Sequence, residues 1–62
     1  MKFSVGDILE SVFGSFLHRA LVQQKDNHCY RVFWISKSGE KAKIPTTVTK
    51  EALEREYVKV IL

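Results

Sequence analysis

The stretch that decides the fold is Cys29-Tyr30-Arg31-Val32-Phe33-Trp34-Ile35, the densest run of aromatic and β-branched side chains in the chain. Such residues suit a pleated, half-buried surface, so the run predicts a strand. Lys25-Asp26-Asn27-His28 punctuates it before and Lys37-Ser38-Gly39-Glu40 after, which predicts a hairpin on each side. Side chains alternate along a strand, so Tyr30, Val32 and Trp34 share one face and Arg31, Phe33 and Ile35 the other. We assign the first face to the core.

Working toward the N-terminus, the pair Gly6-Asp7 reads as a turn or bulge leading into Ile8. Residues 8 to 24 then support two incompatible readings. Apolar side chains at 8, 9, 12, 13, 16, 17, 20 and 21 would line a broad helical face, with Asp7 and Glu10 as a capping box. That reading gives an α-β-β-α chain with residues 8–24 helical. A strict four-residue spacing, however, drifts about 40° per repeat around a helix of 3.6 residues per turn. Gly14-Ser15 also interrupts the middle. The alternative makes 8–13 a first strand, Gly14-Ser15 a turn and 16–24 a second strand. With a hairpin tip at Asp26-Asn27, Leu21 pairs with Val32 and Gln23 with Tyr30.

Toward the C-terminus, Ser38-Gly39 predicts a turn and residues 40–46 a fourth strand that alternates Lys41 and Lys43 with Ala42 and Ile44. Pro45 cannot donate to a ladder and is expected to end that strand. Thr49 reads as a helix N-cap, followed by an i, i+4 pair of Glu51 and Arg55, with Leu53 and Tyr57 facing inward. Residues 57–62 return to strand chemistry.

Strand, turn, strand, hairpin, strand, one helical turn and a closing strand is the order of a small five-stranded SH3-like barrel, mainly β, over a single domain of residues 1–62. Phe3-Ser4-Val5-Gly6-Asp7 resembles the opening of the Tudor-like and KOW-like branch of that superfold. Tyr30-Arg31-Val32-Phe33-Trp34 resembles its central strand, and residues 53–60 resemble its closing helical turn and strand. This likeness also favours the strand reading of residues 8–24. Members of the superfold bind RNA, DNA, methylated lysine tails or proteins, so the resemblance implies binding without naming a ligand. A methyl-lysine cage would need Phe3, Tyr30, Trp34 and Tyr57 as open walls, whereas Tyr30 and Trp34 are assigned to the core. The plasmid-type dihydrofolate reductases use a similar barrel, but their Val-Gln-Ile-Tyr strand is replaced here by Ala42-Lys43-Ile44-Pro45.

Composition narrows the function. Sixty-two residues support one small core and no roomy active site. With 45% hydrophobic and 27% charged residues the chain is expected to fold and stay soluble. No stretch approaches the ~18 apolar residues of a membrane span, so no membrane is expected as a partner. A single cysteine forms no internal disulfide and suits the cytoplasm. His28 and Cys29, adjacent on a strand, point to opposite faces, so they form no nucleophile and base dyad. His18, His28 and Cys29 lack ligating spacing, so no metal or cofactor is expected. No enzyme is predicted.

The net charge is +3, and its distribution is more telling than its size. Arg31, Lys37, Lys41 and Lys43 face a single acid, Glu40, between residues 31 and 43, whereas charges balance from Lys50 onward. One expectation is therefore a nucleic-acid-binding accessory module, for DNA or RNA, with those four cations on phosphates and Phe33 as a stacking platform. The alternative is a protein-interaction module, by size alone a phage-type or mobile-element protein that modulates a host protein. Its expected patch is Leu9, Phe13, Phe33 and Ile35, and homodimerisation is compatible with either expectation.

Overall fold

A computed structural model describes residues 2–12 and 19–60, and every structural statement below concerns those residues. The strands are β1 (Ile8–Ser11), β2 (Arg19–Lys25), β3 (Cys29–Ile35), β4 (Thr46–Thr49) and β5 (Tyr57–Lys59), with helix α1 (Lys50–Glu56) between the last two. They form one antiparallel sheet in the order β4-β3-β2-β1-β5. The fold is mainly β, and the helical reading of residues 8–24 fails because 8–11 and 19–24 lie in strands. The predicted Gly14-Ser15 turn falls outside the described residues.

One side of the sheet is the core. Leu9 of β1, Ala20 and Val22 of β2, and Tyr30 and Val32 of β3 are buried there, together with Phe3 and with Leu53 from α1. Trp34, Val48 and Tyr57 pack around them. The face assignment of β3 holds in this respect, since Tyr30 and Val32 are fully buried whereas Arg31 is exposed.

The β2–β3 register differs from the expected one. Leu21 pairs with Phe33 and Val22 with Val32, and the pairing resumes after Gln23 with Gln24 opposite Arg31 and Lys25 opposite Tyr30. The tip lies at Asn27-His28 rather than Asp26-Asn27. Asp26 causes this, because its Oδ1 accepts the backbone N–H groups of both His28 and Cys29 at 2.8 Å while its own N–H donates to the Cys29 carbonyl at 2.9 Å. No described residue other than glycine has a positive φ, so the tip is not a type I′ turn, and a one-residue bulge at Gln23 absorbs the mismatch in twist. A one-residue slip exchanges the faces of a strand. Val22 therefore enters the core and Leu21 moves to the outer face.

The fourth strand also differs. Lys41 bridges Ile35, and the Ala42 N–H donates to the Trp34 carbonyl at 2.8 Å. The chain then leaves the ladder at Lys43, Ile44 and Pro45, and β4 begins after the proline instead of ending at it. A residue without an N–H interrupts pairing at its own position, which explains the gap. Ile44, expected to alternate with Lys43 in that strand, is 79% exposed as a result.

The turns and the cap follow the sequence more closely. Gly6 and Gly39 both sit at φ 94°, the left-handed region that glycine tolerates. Asp7 closes the first turn by accepting the Ser4 N–H at 2.9 Å, and the Gly39 N–H donates to the Ser36 carbonyl at 2.9 Å in the second. Thr49 caps α1, its Oγ1 accepting from Ala52 N at 3.4 Å. Arg55 pairs with Glu56 at 3.0 Å instead of with Glu51. Beyond α1, β5 adds to the free edge of β1.

Candidate functional site

The outer face of β3 presents Cys29, Arg31, Phe33 and Ile35 in a column. The pleat that sends Tyr30 and Val32 into the core puts them there. Arg31 stands beside Gln24 on β2 and Thr47 on β4. Phe33 stands beside Leu21, which in turn pairs with Ile8, so three half-buried apolar side chains cross β1, β2 and β3 in one row. The next row holds Ile35 beside Arg19, whose guanidinium pairs with Glu10 at 2.8 Å. Lys41, bridged to Ile35, places its ammonium 4.7 Å from the centroid of the Phe33 ring.

The basic residues fall into two sets, apart from Lys50 on α1, whose side chain makes neither an ion pair nor a hydrogen bond with a described residue. Arg19, Arg55 and Lys59 are ion-paired with Glu10, Glu56 and Asp7. Lys2 bonds to Glu54, and Lys25 donates to the Phe3 carbonyl at 3.2 Å. By contrast, Arg31, Lys37, Lys41 and Lys43 are all exposed, and none makes an ion pair or hydrogen bond with another described side chain. Asp26, close enough to feel Arg31, has its carboxylate occupied by two backbone N–H groups. The His28 N–H, and after it the Cys29 N–H, hold that carboxyl below its usual range. The positive charge of the β3–β4 hairpin is thus not neutralised by an ion pair with any described side chain.

The opposite face has no such freedom. The Tyr30 hydroxyl accepts the Phe3 N–H at 3.2 Å and donates to Glu54, which also accepts the Lys2 N–H at 3.0 Å. Burial pushes the Tyr30 hydroxyl pKa up, with the Glu54 hydrogen bond adding to the shift. Glu54 is lowered in turn, by the Tyr30 hydroxyl first and the Lys2 N–H second. Phe3 and Tyr30 lie with ring centroids 5.7 Å apart inside the core, and Trp34 packs on Tyr57 at 5.9 Å. Two of the four cage candidates are therefore fully buried and cannot be walls of an open methyl-lysine site.

Of the five residues expected to meet nucleic acid, the exposed Arg31 and the half-buried Phe33 share the outer face of β3 and Lys41 lies against that ring, whereas Lys43 is exposed in the segment after it. Lys37 is exposed in the turn between β3 and β4. The expected apolar patch needs a correction. Phe33 and Ile35 lie on the outer face, but Leu9 is 0% exposed in the core, and Phe13 falls outside the described residues. Ile8 and Leu21 occupy the place assigned to those two. The signal that finds them is the Asp26 side chain, whose capacity to close a turn over Asn27-His28 fixes the register and hence the face of Leu21.

A cavity of about 60 Å³ beside Arg31, bordered by Gln24, Lys25, Asp26, Cys29 and Thr47, has room for a water or two and not for a small-molecule substrate. Among the described residues no group of three or more His, Cys, Asp or Glu could hold a metal ion, and no helix is long and apolar enough to cross a membrane. No protein-family model, curated protein or solved structure matches this chain.

Proposed function

We propose that the protein is a small non-enzymatic nucleic-acid-binding module of SH3-like barrel form, acting in the cytoplasm, where a lone thiol stays reduced. The observation that carries the binding assignment is the charge division: the four cations of the β3–β4 hairpin, Arg31, Lys37, Lys41 and Lys43, are exposed and without ion pairs, whereas Arg19, Arg55 and Lys59 have carboxylate partners. A phosphate backbone is the complementary polyanion, and neutralising it releases counterions. Two features support the barrel. The strand order β4-β3-β2-β1-β5 ends on the two strands that α1 joins, and Leu53 of α1 is buried against the same core as Leu9 and Val32.

The test is a titration of labelled single-stranded DNA, duplex DNA and RNA by fluorescence anisotropy across salt concentrations. Saturable binding with log K falling linearly in log salt is expected, with a slope near −3 for four phosphate contacts on a single strand. Absence of saturable binding at low salt by folded protein overturns the proposal.

A second reading rests on the apolar row Ile8–Leu21–Phe33 and on Ile44, 79% exposed, which together suit a protein partner or a second copy. Sedimentation analysis of the wild type against Leu21→Asp distinguishes it. Concentration-dependent association abolished by the variant, without salt sensitivity, would favour this reading.

A further inference from the structure

The outer face of β3 contains one aromatic ring bracketed by two cations. Arg31 lies two residues before Phe33, about 7 Å along the strand, and Lys41 enters at the level of Ile35 and reaches back over the ring to 4.7 Å from its centroid. A duplex keeps its bases stacked and paired, so it offers phosphates to the cations and nothing to the ring. An unpaired strand offers both. The seven-residue α1, committed to the core through Leu53, is also unsuited to enter a major groove. We propose that Arg31, Phe33 and Lys41 form a one-nucleotide site for single-stranded nucleic acid. A base stacks on Phe33 in place of the Lys41 ammonium, and Lys41 and Arg31 take the phosphates on either side of it. The exchange is favourable because an exposed cation–π contact is weak, while the displaced ammonium gains a phosphate.

This inference rests on the nucleic-acid reading, and the experiment separates the two. Labelled oligothymidylate is compared with a strand of the same length and charge carrying abasic units, and with a duplex, at one moderate salt concentration and along a salt series. Oligothymidylate is expected to bind about tenfold or more tighter than the abasic strand. Phe33→Leu is expected to erase that difference and Phe33→Trp to restore it, with the salt slope unchanged in both. Equal binding of the two single strands with a normal salt slope overturns stacking and leaves the phosphate-binding reading standing. Tighter binding of the duplex overturns the assignment to single strands. No binding to any of the three by folded wild-type protein overturns both proposals. The comparison of thymidine and abasic strands uses wild-type protein alone, so it decides the matter even if the Phe33 variants fail to fold.

Discussion

The two faces of β3 differ more than any two separate elements of the molecule. Tyr30 and Val32 on the inner face are fully buried, and the Tyr30 hydroxyl is satisfied on both sides by Phe3 and Glu54. Arg31, one residue away, is exposed and makes no ion pair or hydrogen bond with a described side chain, and Phe33 is half-buried with the Lys41 ammonium over its ring. Seven consecutive residues thus carry two properties by parity alone. The even-numbered side chains build the core, and the odd-numbered ones form the outer face on which the proposed binding rests.

Substitutions that test this division fall in order of size. Leu53→Ala, which opens a cavity under the inner face, is expected to cost about 2–5 kcal/mol. A domain of this size has little more than that in total, so Trp34 fluorescence should report a largely unfolded chain at modest urea. Tyr30→Phe keeps the ring but leaves the buried Phe3 N–H without its acceptor, a loss of about 1–3 kcal/mol in urea denaturation. Thr49→Ala removes the cap of α1 and is expected to cost about 1 kcal/mol. Arg31→Ala and Lys41→Ala, on the outer face, should each move stability by less than about 0.5 kcal/mol.

Acid sharpens the same contrast. Backbone N–H donors, Ser4 first for Asp7 and His28 first for Asp26, hold two carboxyls low, and the Tyr30 hydroxyl does so for Glu54. Groups depressed in the fold stabilise it fully above the ordinary carboxylate pKa of about 4, and that contribution disappears as pH falls through the lower folded values. Urea midpoints should therefore drop below about pH 4, and Tyr30→Phe should narrow the drop by the share belonging to Glu54. Lys41→Ala, whose ammonium lowers none of these three carboxyls, should leave the profile unchanged.

Much of this contrast was legible in the chain itself. Alternation of Tyr30, Val32 and Trp34 with Arg31, Phe33 and Ile35 placed both faces, and Thr49 before an amphipathic turn placed the cap. The clustering of Arg31, Lys37, Lys41 and Lys43 against one acid marked the hairpin. What escaped depends on contacts that no local pattern encodes. The register turned on one Asp26 carboxylate and a bulge at Gln23, and that one-residue slip decided whether Leu21 lay inside or outside. Leu9 could have taken either face until β1 was aligned with Ala20. The Tyr30–Glu54 hydrogen bond joins residues 24 apart. The Lys41–Phe33 contact exists only because Lys41 bridges Ile35 before the chain leaves the ladder at Pro45. Trp34, on the charged hairpin by sequence, packs against Tyr57, so it reports folding better than outer-face binding.

The most direct measurement is the salt dependence of single-strand binding for the wild type and for Arg31→Ala, with the stability of each taken from urea denaturation. The account predicts equal stability within about 0.5 kcal/mol and a salt slope reduced by about one phosphate contact in the variant. Identical slopes and affinities for the two folded proteins would contradict it.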